Sequence, residues 1–202
     1  MTDIEFILQY WKQYILIERE FARTLNYAPI AEENGSTFSP AYMKLLLEIG
    51  SEIDVAAKLL CSLKNPGSKA DNIQQYRKHI EPEVPVIIRD RVLVPWSKDQ
   101  TLGWWKTYNA MKHNRNGVEN GKENYKLANQ DNTLLALAGL YQLYVYCYSL
   151  LPHDPHVETP MPGSRLFVLR GEKWDKVHSC RDEKFYIDEE TGYLRLIVAP
   201  FS

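Results

Sequence analysis

The sequence predicts a mainly α fold: an antiparallel helical bundle with a small antiparallel β appendage at its C-terminal end. Three observations carry this. Apolar residues recur at spacings of three and four over most of positions 3–151, the period of a helix face. Pro152, Pro155, Pro160 and Pro162 then interrupt the chain, and helices do not run through such stretches. Beyond them come short β-branched and aromatic runs separated by turn residues, the pattern of strands. The expected domains are a helical bundle over 1–151, a proline-rich linker over 152–163 and a β tail over 164–202, too small to stand alone and so docked on the bundle.

Ile4, Ile7, Leu8, Trp11, Ile15, Phe21, Ala22 and Leu25 predict a first helix over 3–27, with Asp3 and Glu5 suited to the positive end of its dipole. Glu18, Arg19, Glu20 and Arg23 read as its solvated face. Ser39-Pro40 restarts the chain as N-cap and first helical residue. The second helix runs over 39–64 and buries Leu45, Leu46, Ile49, Ile53, Ala56 and Leu60. Asp54 and Lys58 form an i,i+4 pair of favourable polarity. A short helix is expected within 70–80. Val86-Ile87-Ile88 and Val92-Leu93-Val94, flanking Arg89-Asp90-Arg91, read as a hairpin or an extended crossover.

Thr101 is the expected cap of a third helix over 102–115, and Asn116-Gly117 and Asn120-Gly121 mark turns after it. The fourth helix spans 125–151. Its segment 134–151 is almost wholly apolar, with Gln142 its only amide. It reads as the central helix of the bundle and not as a membrane span. Tyr141, Tyr144, Tyr146 and Tyr148 would leave hydroxyls unpartnered in hydrocarbon, and no Lys/Arg cluster flanks it. In the tail, 165–170, 184–187 and 193–198 read as strands, with Trp174 to His178 a further candidate.

Composition narrows the function classes. The chain has 202 residues, 45% hydrophobic and 25% charged, with net charge -2, so no global basic field draws in nucleic acid and any such contact needs a local patch. Aromatics reach 12%, which suits a core with polar handles or an aromatic interface. Cys61, Cys147 and Cys180 are three, far apart and without CxxC spacing. That pattern argues against a disulfide framework or zinc knuckle and for a reducing, cytoplasmic setting. The start, Met1-Thr2-Asp3-Ile4-Glu5, lacks the basic region of a signal peptide. No phosphate-binding loop, dinucleotide fingerprint, HExxH or GxSxG elbow is present. His153, Asp154 and His156 read as a polar loop, and His178 with Cys180 as two residues sharing a strand face. His79 stands alone. No metal or cofactor is expected.

The chemistry concentrates in Trp104-Trp105-Lys106-Thr107-Tyr108-Asn109-Ala110-Met111-Lys112-His113-Asn114-Arg115. On a helix, Trp104, Tyr108 and Met111 form an apolar stripe, and Lys106, Asn109 and His113 a polar one. A histidine can move protons near neutral pH, and neighbouring cations can take phosphate charge. Such a group suits metal-independent RNA cleavage by the 2′-hydroxyl, with His113 as general acid or base. It equally suits the wet end of a helix, where cations favour the carbonyl end of the dipole. Glu52, at the edge of the second helix's apolar stripe, is expected to reach Lys106 or His113 and orient it.

Asn109-x-x-x-His113, on a late helix followed by a long apolar one, resembles the HEPN superfamily, whose pattern is Arg, a polar residue, three residues and His. The resemblance covers about 1–151. Tyr108 occupies the arginine position, which departs from the pattern at the residue held to bind the scissile phosphate. Ser51-Glu52-Ile53-Asp54 and 104–115 are also similar to a group of uncharacterised bacterial proteins. The resemblance implies a HEPN-like homodimer and two function classes. One is a metal-independent endoribonuclease of a bacterial defence or toxin–antitoxin system, with Asn109 and His113 at the family's positions; the helix face itself adds Lys106 to the catalytic group and sets Tyr108, Lys112 and Arg115 against RNA. The other is a non-catalytic helical module that binds RNA, an antitoxin or another protein. An apolar helix not covered on every side by its own chain is a further motive for a homodimer.

Overall fold

The computed structural model describes residues 1–80, 84–98, 102–119, 121–152, 160–170, 184–187 and 194–197, with only the backbone for 119, 184–187 and 194–197. It is mainly helical with a small antiparallel sheet. Helix α1 (Asp3–Phe6) opens with a capping box between Thr2 and Glu5, passes through a π-turn at Ile7–Trp11 and continues as α2 (Lys12–Thr24). The long α3 (Pro40–Lys64) starts where Ser39 Oγ accepts the amide of Tyr42 at 3.1 Å. A short α4 (Ile73–Tyr76) follows, capped by Asn72.

The π-turn corrects the expected face of the first helix. It adds a residue to one turn, so the buried positions step by five from Phe6 to Trp11 before resuming at Tyr14, Ile17, Glu18 and Phe21. Ile4 and Leu8, expected inside, lie 65% and 55% exposed. Glu18, expected on the solvated face, is 3% exposed.

Strands β1 (Val86–Ile88) and β2 (Arg91–Leu93) form the hairpin, with Arg89 at φ 52° in the left-handed region that its tight turn requires. The third strand of this sheet is β5 (Val168–Leu169), which pairs antiparallel with β1, Val86 opposite Leu169. The segment expected to build a sheet within the tail is therefore stitched to the middle of the chain. Two further hairpins are local: β3 (Val118–Glu119) with β4 (Lys122–Glu123), and β6 (Lys184–Ile187) with β7 (Leu194–Ile197). The expected strand at 174–178 and the cap Thr101 lie outside the described residues.

Helix α5 (Gly103–His113) matches the expected third helix. The fourth is broken in two, α6 (Asn124–Leu127) and α7 (Gln130–Ser149). Asn129 is the reason. Its side chain accepts the amide of Asn132 at 3.0 Å, while the amides of Gln130 and Asp131 go to the carbonyls of Thr37 and Gly35 instead of to the preceding turn. Gly35 admits that approach, because a Cβ there would sit 2.1 Å from the Asp131 carboxylate.

Helix α7 lies at the centre, packed along α3 and flanked by α2 and α5. Every residue from Ala136 to Tyr148 is buried. Trp96 Nε1 donates to Gly139 O at 3.1 Å, Tyr141 packs on Phe167 with ring centroids 5.7 Å apart, and Cys147 Sγ donates to Ala56 O at 3.6 Å. The chain thus covers its own apolar helix, which withdraws the packing motive for a homodimer. No helix among the described residues is long and apolar enough to cross a membrane.

The segment after the proline stretch docks on α2. Trp11 Nε1 donates to Pro162 O at 2.8 Å. The buried Glu18 carboxylate accepts from Tyr14 Oη at 2.8 Å, from the Arg165 amide at 3.0 Å, from the Leu166 amide at 3.3 Å and from Ser164 Oγ. Four donors replace the water that a buried carboxylate loses.

Candidate functional site

Helix α5 carries most of the predicted site, and its anchoring is as the two stripes require. Trp104, Tyr108 and Met111 are buried. Trp104 Nε1 donates to Pro95 O at 2.9 Å and its ring meets Trp96 edge-on at 5.2 Å. Tyr108 lies flat against Gly50 of α3, so close that a Cβ on Gly50 would stand 2.2 Å from the ring. This contact fixes how α5 crosses α3. It also takes Tyr108, expected against RNA, into the core.

The polar stripe faces outward. Lys106 and His113 are exposed and Asn109 is half-buried. Asn109 Nδ2 donates back to Trp105 O at 3.0 Å, an intrahelical bond that holds the amide against its own backbone. Lys112 sits over the Tyr108 ring, 5.7 Å from its centroid. Arg115 lies exposed in the turn that follows, where the Asn114 carbonyl accepts the amides of Gly117 at 3.0 Å and the Asn124 side chain at 2.7 Å. Among the described residues, the side chains of Lys106, His113 and Arg115 have no hydrogen bond or ion pair. Lys106 and His113 stand two turns apart on the same side of α5, roughly 10 Å at 1.5 Å of rise per residue, with Arg115 exposed in the turn beyond.

Glu52 does not reach this edge. Half-buried on α3, it accepts a hydrogen bond from Tyr144 Oη of α7 at 2.7 Å. It therefore orients a core phenol, and the expected link to Lys106 or His113 is replaced by that bond. The reason is geometric: Glu52 lies on the side of α3 that faces α7, while Tyr108 on Gly50 sets the α5 crossing. The carboxylate that does feel α5 is Asp54. Its Oδ2 accepts from Lys58 at 2.6 Å and its Oδ1 from Tyr76 Oη at 2.6 Å. Burial would raise the Asp54 carboxyl, but these two bonds, with the charges of Lys58 and Lys112, hold it below its usual value. The Asp54–Lys58 spacing announced half of this cluster. Nothing in the sequence announced Tyr76 or Lys112.

A cleavage site needs a proton-transfer group, an orienting partner and a phosphate clamp converging in a concavity. Here His113 has no orienting partner among the described residues. The cavity where α2 meets α3 is lined by none of the predicted site residues. What α5 does offer is a rigid helix, aromatic on one side, with cations projecting from the other. Among the described residues, no three His, Cys, Asp or Glu side chains gather as metal ligands. His153, Asp154, His156, His178 and Cys180 lie outside them. No protein-family model, curated protein or solved structure matches the chain.

Proposed function

We propose that the protein is a non-catalytic helical module that binds RNA through the exposed face of α5. The observation that carries this reading is the exposed basic side of α5, Lys106 and His113 with Arg115 in the turn beyond, their side chains unpaired among the described residues and the helix held by a buried aromatic stripe. Cations without internal partners are available to phosphate oxygens, and a fixed helix presents them without further ordering. The net charge of -2 makes the contact local, so it depends on few residues and on ionic strength.

The endoribonuclease reading is the second, favoured by Asn109 and His113 standing one turn apart on the same open side of α5. A homodimer that faced two such sides together would supply the missing partner groups. One experiment separates the readings. Fluorescently labelled single-stranded and hairpin RNAs are titrated at low and high salt, with cleavage followed in chelator. The binding reading expects saturable binding without cleavage. Substituting Lys106, His113 and Arg115 together by Ala should weaken it at least tenfold and flatten the salt slope by about 0.7 for each phosphate no longer neutralised. Chelator-resistant cleavage abolished by His113→Ala would establish the enzyme instead. RNA affinity indifferent to the triple substitution would remove α5 from both readings.

A further inference from the structure

The junction of α2 and α3 forms a half-open pocket of about 510 Å³, within the range of small-molecule sites. Its floor is Tyr42 and Leu45, both buried in the core, with Phe21 behind Tyr42 at 6.1 Å between centroids. Thr24, Ala28 and Ala41 line its sides, and Tyr27, 91% exposed, stands at the mouth. The floor is held rigid from below: Gln130 Nε2, wholly buried, donates to Tyr42 Oη at 3.2 Å and to Ala28 O at 2.6 Å. The chamber is therefore apolar, aromatic and preformed.

Its rim carries three charges. Arg23 and Glu20 pair with each other and cancel. The side chain of Lys44, exposed one turn into α3, has no hydrogen bond or ion pair among the described residues, and leaves the rim one positive charge in excess. The cavity also borders the first turn of α3, whose dipole adds to the same sign. An apolar chamber with a single uncompensated cation at its lip is complementary to a small organic monoanion. We propose that this cavity binds a monocarboxylate with an apolar acyl or aryl body, the body against Tyr42, Leu45 and Ala28 and the carboxylate on Lys44. The site is separate from the basic side of α5 and does not depend on the RNA reading.

The test uses the whole chain with anilinonaphthalene sulfonate, an apolar fluorescent anion, as reporter, and decanoate and decanol as competitors. The dye should bind saturably at one site. Decanoate should displace it at least tenfold better than decanol. Lys44→Glu should weaken decanoate about tenfold and leave decanol unchanged. Ala41→Trp and, independently, Thr24→Trp fill the chamber and should abolish displaceable dye binding, each variant first shown to keep the wild-type circular dichroism and unfolding midpoint. Two filling variants guard against one failing to fold. Dye binding that survives in a folded filled variant, or does not saturate, would overturn the site. Equal displacement by decanol and decanoate, or a Lys44→Glu variant that binds decanoate normally, would overturn the anion preference.

Discussion

Three tyrosines share one arrangement. Tyr14, Tyr76 and Tyr144 are buried, and each hydroxyl donates to a carboxylate: Glu18 at 2.8 Å, Asp54 at 2.6 Å and Glu52 at 2.7 Å. Burial, then the adjacent carboxylate, pushes all three phenols above their ordinary value. The consequence for stability has a definite sign. A phenol whose folded value is raised contributes stability that is complete below the unfolded value, near 10, and is lost as pH rises toward the folded one. In that window the unfolded chain releases a proton that the folded chain retains. The unfolding free energy from urea titration, and the midpoint with it, should therefore fall above about pH 10, the free energy by up to about 1.4 kcal/mol per pH unit for each such phenol. Tyr144→Phe should reduce the slope while lowering stability at neutral pH. A midpoint flat from pH 9 to 11 would contradict the arrangement.

Among the elements, α3 and α5 meet through one close contact, Gly50 against Tyr108. Since even a Cβ at Gly50 meets the ring, Gly50→Val must displace Tyr108 or move the helix. Overpacking of this kind costs about 1–3 kcal/mol, and Tyr108→Ala, which empties the same space, about 3–5 kcal/mol. The two together should cost less than their sum, because the smaller side chain at 108 makes room for the larger one at 50. A double mutant cycle by chemical denaturation reads this directly. Simple additivity would mean that the two residues do not touch. The same packing carries the basic side of α5, so Gly50→Val should also weaken RNA binding without altering any cation.

For the molecule as a whole, the question is whether the chain divides at the prolines. Phe167 and Leu169 are 1% and 3% exposed, β5 completes the sheet begun by β1 and β2, and Glu18 directs its carboxylate to residues 164–166. A chain ended at Leu151 would lose about 1.5–3 kcal/mol for each buried apolar side chain. It would also strip Glu18 of the three donors that residues 164–166 supply and open its side of α2 to water. Thermal unfolding of this truncation should show a midpoint lower by many degrees or no cooperative transition. A truncated chain as stable as the whole would make 164–170 an appendage after all.

Much of the architecture was legible because its causes are local. Ser39-Pro40 starts α3 by capping, Asp54 and Lys58 pair one turn apart, and the all-round apolarity of 134–148 says that α7 is central. The two stripes of α5 likewise followed from period alone, and so did the outward face of Lys106 and His113. What the tertiary structure decided involves approach between distant segments. Glu18 looked like one charge in a solvated run. Only the return of Ser164, 146 positions away, makes it a buried acceptor. Glu52 was placed correctly at the edge of a face, but its partner came from α7, 92 positions on. β5 read as a strand, while its pairing with β1 depended on where the chain returned. The π-turn moved a whole helix face by one residue, a change that a regular period does not encode. Spacing within a few residues dictates which side of an element is apolar. Which group a polar side chain finally meets is set by packing, where leaving a buried donor or acceptor unpaired costs more than any local preference.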